Sequence, residues 1–144
     1  MAGKPFSPSL YSTNDDAKEL VIQWLKNSGY EAWVNPDQYG IDVLSVDPFG
    51  DERQYEVEVK HNWKGPRFPF SGVHFSARKL KFTKPTSGFV MLNHERTHAL
   101  VVDGNIVANS PIVTKSTIYT NDEQFIEVPL SKCRILTLKE TFFE

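Results

Sequence analysis

Cysteine is almost absent from this chain. Cys133 stands alone among 144 residues, which excludes an intramolecular disulfide and argues against a cysteine-based zinc site. No apolar run approaches the roughly 20 residues a membrane-spanning helix needs, so no membrane partner is expected. The first residues lack a basic stretch followed by an apolar segment, and no secretory signal is expected. With one thiol and no signal, the sequence predicts a reducing, cytoplasmic setting. Helix-turn-helix, zinc-finger and OB signatures are missing, as are internal repeats and low-complexity tracts. Surplus charge is missing too: a net −2 gives by itself no pointer to nucleic acid.

What is present is an ordinary globular composition, 40% hydrophobic and 24% charged, and long enough for one domain with a real core. We expect a single domain over 1–144, with 1–11 as a loose N-terminal arm. The charge is unevenly spread. Residues 1–58 carry a net −7, residues 59–94 a net +7 with no acid at all, and residues 95–144 a net −2. An acidic cluster beside a basic block suits a cation site next to a phosphate track. Chance segregation into solvated faces would look the same.

Ser12-Thr13-Asn14 offers N-cap side chains, with Asp15 and Asp16 in a first turn. Ala17, Leu20, Val21, Trp24, Leu25 and Ser28 then form one helical stripe, closed by Gly29. Glu31–Val34 is a short strand. Residues 41–47 and 54–60 form a hairpin across the Pro48-Phe49-Gly50-Asp51 turn. Residues 65–72 are too rich in proline and glycine to be regular. A short basic helix is expected over 76–83, ending before Pro85. Strands follow at 88–92 and 97–102. Asp103-Gly104-Asn105 predicts a hairpin turn into a strand over 106–108. A late strand over 125–128 and a tail over 134–138 complete the chain.

The stretch of greatest chemical interest is Tyr55-Glu56-Val57-Glu58-Val59-Lys60. As a strand it sends Tyr55, Val57 and Val59 to one face, and Glu56, Glu58 and Lys60 to the other. The hairpin brings Asp42 near Glu58 and Lys60. An acid, then an acid and a lysine two residues apart on the next strand, suggests a divalent-metal site with an amine beside it. The same side chains also suit cross-strand ion pairs on an exposed sheet, and Asp42 also suits a cap on the Gly40 turn.

Asp42, fifteen residues, then Glu58-Val59-Lys60 resembles the PD-(D/E)xK nuclease superfamily, which includes restriction endonucleases and Holliday junction resolvases. Ile41 stands where the family name has proline. The literal Pro36-Asp37 competes but reads as a turn. The order helix, three strands, helix, strand also matches, over roughly 12–102. The resemblance implies an α/β, restriction-endonuclease-like αβββαβ core with a central mixed sheet and extra C-terminal strands. It implies a Mg²⁺-dependent DNA endonuclease, with Mn²⁺ able to substitute. Asp42, Glu58 and the Val59 carbonyl would be metal ligands, and Asp42, Glu58 and Lys60 the catalytic set. Some members add an acid from the first helix. Asp15, Asp16 and Glu19 are the candidates, while Lys18 occupies the position that a gapless comparison with archaeal resolvases assigns to the glutamate.

Lys64, Arg67, Arg78, Lys79 and Lys81 are the expected DNA-binding side chains, reaching phosphates without reading sequence. Leu80 and Phe82 would pack inward. Trp63 and Phe68 belong to a loop that enters a groove or meets a partner. The small size leaves no room for a separate sequence-reading domain, which favours a structure-selective enzyme. Cutting two strands would need a homodimer. Two rivals remain. One is a catalytically silent DNA- or protein-binding module on the same fold. The other is a zinc hydrolase on His94-Glu95-Arg96-Thr97-His98, a pattern that requires a helix, whereas its neighbours read as strands.

Overall fold

The computed structural model describes residues 8–116 and 122–142, with side chains from residue 15 onward. A helix α1 (Pro8–Asn27) leads into strands β1 (Glu31–Val34), β2 (Val43–Val46) and β3 (Glu52–Val59). Strand β4 (Gly72–Ser76) and a 3₁₀ turn (Ala77–Phe82) cross over to β5 (Ser87–Leu92). Then come β6 (His98–Asp103), a one-turn helix α2 (Gly104–Ala108), β7 (Ile112–Lys115), β8 (Glu123–Pro129) and β9 (Arg134–Thr137). The central sheet has six strands in the order β1-β2-β3-β5-β6-β9, and a second sheet of three runs β4-β8-β7. Only β3 and β5 pair in parallel within the central sheet, so it is mixed.

Alternation builds two cores, one on each face of the central sheet. Val90 and Leu92 of β5 pack with Ala17, Val21, Trp24 and Leu25 of α1. Phe89 and Met91 point the other way, to Val73, Phe75, Ile126 and Val128 of the second sheet. All six residues of β5 are buried, as expected of a strand covered on both faces. On β3, Tyr55, Val57 and Val59 face α1, so Glu56 and Glu58 share the face of Phe89 and Met91, their register partners.

Helix α1 ends where the sequence says. Gly29 has φ 91°, its N–H donates to the Lys26 carbonyl, and Tyr30 N–H donates to Leu25, the paired bonds of a Schellman motif. The C-terminal segment straps over this end. Trp24 Nε1 donates to the Glu140 carbonyl at 2.6 Å and Phe142 N–H to Ser28 Oγ at 2.7 Å. The fully buried Phe142 ring meets Trp24, Tyr30 and Tyr55 edge-on, with centroids 4.8, 5.6 and 5.1 Å away. Phe142→Leu should lower the unfolding free energy by about 1–2 kcal/mol in urea melts, through lost ring contacts more than lost area.

Several expectations are corrected. The helix begins at Pro8, so residues 8–11 are not a loose arm and Ser12-Thr13-Asn14 lie inside it; residues 1–7 lie outside the described ones. Leu20 is exposed and Ile22 buried, a stripe rotated from the expected one. Strand β2 is shorter than expected and β3 starts earlier and stops at Val59, leaving Asp42 one residue before β2 and Lys60 one residue after β3. The 76–83 helix is 3₁₀, and β4 emerges from what reads as loop. After Asp103 the chain coils into α2 instead of turning back. Val107 is buried in the second core, and a Cβ on Gly104 would meet Ser87 Oγ at 2.2 Å, so this backbone is pressed against the 84–87 turn. From the last forty residues, β7 and β8 join β4 to form the second layer, and β9 closes one edge of the central sheet.

Candidate functional site

The site lies where β2 parts from β3. Val43 pairs with Tyr55, and beyond that the β2 ladder stops while β3 continues to Val59. Backbone groups alternate sides along a strand. Gln54 N–H and Lys60 N–H turn toward β5, to the Thr86 and Leu92 carbonyls. The N–H and C=O of Val57 and Val59 therefore turn to the side that β2 has vacated. Asp42 stands in that gap: its Oδ2 accepts from Val57 N–H at 2.9 Å. The Val59 carbonyl points to the same bare edge.

Three acids and three lysines converge here. Asp42 N–H donates to Glu56 Oε1 at 3.2 Å. Lys18 Nζ of α1 lies 3.4 Å from Asp42 Oδ1, and Lys79 of the 3₁₀ turn donates to Glu56 Oε2. Burial raises the Glu56 carboxyl to about 7, with the Asp42 charge adding to the rise and Lys79 opposing it. Burial raises Glu58 as well, against the pull of Lys79 and Lys60 and with a further push from Asp42. Asp42 and Glu58 thus feel one another across this edge. Burial lowers Lys60; Glu58 opposes that and Lys115 of β7 reinforces it. The Lys60 ammonium rests 4.9 Å over the Phe70 ring.

These neighbours alter the sequence expectation. Lys18 pairs with Asp42 and Lys79 with Glu56, which offsets part of the acids' mutual repulsion. Lys79 is therefore engaged with Glu56 and is not a free phosphate contact. The first helix contributes Lys18, whereas Asp16 and Glu19 are exposed and line a shallow surface depression with Gln23 and Arg96. Asp42 does not cap the Gly40 turn; Asp37 does, its Oδ1 accepting from Tyr39 N–H at 3.0 Å. Trp63 and Phe68 are core, not a protruding loop. Lys64, Arg67, Arg78 and Lys81 are exposed as expected. The charge of exposed Lys115 acts on Lys60 from 55 residues away in sequence, with no local signal to mark it.

His94 lies in a turn and His98 opens β6, so the H-E-x-x-H letters are not on a helix. The His94 ring stacks edge-on to His61 at 5.9 Å, and His98 Nδ1 meets Thr97 Oγ1. Among the described residues no three His, Cys, Asp or Glu side chains cluster as a ready-made metal cage. The oxygens at the bare edge are hard donors, the Asp42 carboxylate and the Val59 carbonyl, with Glu58 on the adjoining face of β3. That set fits Mg²⁺, which keeps several waters and takes one or two carboxylates, and does not fit zinc. A cation there would compete with Lys18. Lys18→Met should raise Mg²⁺ affinity about threefold in calorimetric titration, the scale of a part-exposed ion pair.

No protein-family model and no curated protein matches the sequence. Among solved structures, the chain is similar to the Holliday junction resolvase Hjc of Archaeoglobus fulgidus. The TM-score is 0.51 at 10% identity, over 83% of this chain and 85% of that one. No described helix is long and apolar enough to cross a membrane. The chain has a mixed α/β fold with a central mixed sheet, consistent with the restriction-endonuclease-like fold of that resolvase.

Proposed function

We propose that this chain is a Mg²⁺-dependent DNA endonuclease that selects branched or junction structures. The observation that carries the reading is the parting of β2 from β3, which leaves Asp42 and the Val59 carbonyl on one bare strand edge beside Glu58 and Lys60. Asp42, Glu58 and the Val59 carbonyl would hold the ion. When bound, it supplies charge for the phosphate and acidifies a water. Lys60, with its ammonium held near Glu58 and its proton loosened by burial, orients the attacking water and takes up charge at the phosphate. Lys64, Arg67, Arg78 and Lys81, all exposed, would hold flanking phosphates. Mn²⁺ would substitute, sharing the preference for oxygen ligands. Symmetric two-strand cutting calls for a homodimer.

A second reading has one observation behind it. Lys18 and Lys79 already neutralise Asp42 and Glu56, as a catalytically silent DNA-binding module would tolerate. Incubation with a four-way junction, a flap and supercoiled plasmid, in Mg²⁺, Mn²⁺ or EDTA, separates the two. Cutting in either cation and none in EDTA is the expected result. Junction binding without cutting in both cations favours the silent module.

A further inference from the structure

A cleft of about 530 Å³ opens beside the acids, between the Asn35–Ile41 turn and the 3₁₀ turn. Gln54 lines it, on the same face of β3 as Glu56 and two residues away, which is about 7 Å along a strand. Ile41, the neighbour of Asp42, lines it from the other side. The cleft thus adjoins Asp42 through Ile41, while Glu58 lies four residues from Gln54, about 13 Å along the strand. Its walls divide by chemistry. Phe82 lines it with part of a ring that also packs against the second core, and the Lys81 and Lys79 ammonium groups lie over that ring, 5.1 and 5.9 Å from its centroid. Gln54 accepts from Thr86 Oγ1 at 2.7 Å through Oε1, which leaves Nε2 as a donor. Lys81 and Lys84 stand at the rim. A stacking surface, an amide edge and two ammonium groups are what an unstacked nucleotide needs.

The turn that forms the opposite wall is held rigid. Asn35 Nδ2 donates to the Ile41 carbonyl at 2.9 Å, and Asn35 Oδ1 accepts from Asp37 N–H at 3.0 Å. A Cβ on Gly40 would meet Asn35 Nδ2 at 2.6 Å, so only glycine lets the turn close this tightly. The cleft is therefore pre-formed, as ligand sites generally are.

We infer that this cleft receives one unpaired nucleotide of a branched DNA, on the Asp42 side of the candidate metal site. A fully stacked duplex presents no such base, so the cleft gives a physical basis for preferring branch points. The inference rests on the nuclease reading but is tested apart from it. Four-way junctions carrying 2-aminopurine at successive positions around the branch are bound in EDTA, where no cutting occurs. One position should brighten several-fold as its base leaves the stack. Phe82→Leu keeps apolar packing and Thr86→Val keeps the side-chain shape in the turn before β5; both are checked by thermal melting. Phe82→Leu should bind about tenfold more weakly, in line with the loss of one base–aromatic stack, and brighten less. Thr86→Val frees the Gln54 carbonyl and should change which base brightens most. Binding with no brightening at any position overturns the cleft assignment. So does a Phe82→Leu protein that melts, binds and brightens as the parent does. Mg²⁺-dependent cutting without brightening removes the subsite and leaves the nuclease standing. Neither binding nor cutting removes both.

Discussion

Replacing Lys60 by alanine is expected to slow Mg²⁺-dependent cleavage about 10³-fold, the usual worth of a positioned proton-handling group. The lysine is half-buried beyond the end of β3, over the Phe70 ring and next to Glu58. Burial lowers its pKa, so the amine is easier to deprotonate than a solvent-exposed lysine. Glu58 opposes that shift and Lys115 assists it. Lys60→Arg should fail to restore the rate, because a guanidinium stays protonated and presents a planar fork in place of a point charge. Junction affinity in EDTA should change by less than about threefold, since one ammonium among several contacts phosphate. Single-turnover rates across pH would check this. A Lys60→Ala protein that keeps a third of the parent rate would remove Lys60 from the chemistry.

Glu56→Gln is expected to stabilise the metal-free protein at pH 8 by about 1–3 kcal/mol and to leave it unchanged near pH 4.5. The sign follows from the proton. The Glu56 carboxyl, ordinarily near 4.5, is raised to about 7 by burial first and by Asp42 next. Between those values the folded state keeps a proton that the unfolded state releases. Stability is therefore greatest below 4.5 and falls as pH rises through about 7. Glu58 is also raised and acts in the same direction. Glutamine mimics the protonated carboxyl and removes the dependence at this position. The Lys79 pair works against the gain, which is why the lower end of the range is included. Thermal melts at both pH values decide it. A variant less stable than the parent at pH 8 would mean that the Lys79 ion pair outweighs burial.

Much of this was open to reading in the sequence, for stated physical reasons. Helix α1 and strands β3 and β5 carry strong 3.6-residue, two-residue and continuous apolar patterns, and all three are present. The spacing of Asp42, Glu58 and Lys60 follows a hairpin, and β2 and β3 do pair antiparallel, with Asp42 just before one strand and Lys60 just after the other. What escaped depends on tertiary folding. Lys18 meets Asp42 because α1 lies across β3, and Lys79 meets Glu56 because the crossover returns over the sheet. Val73 and Phe75 alternate as a strand should, yet a Gly/Pro-rich run just before them hides β4. Asp103-Gly104-Asn105 has hairpin letters. The burial of Val107 and the closeness of Gly104 to Ser87 prevail over that local preference.

The central claim is that Asp42, Glu58 and the Val59 carbonyl share one cation at the edge that β2 leaves bare. Crystals soaked in Mn²⁺ and measured at the manganese absorption edge test it directly. The account requires one anomalous peak about 2.1–2.2 Å from all three oxygens, with Lys18 displaced from Asp42. A peak on other side chains, or none while Asp42 stays bonded to Val57 and Lys18, would contradict it.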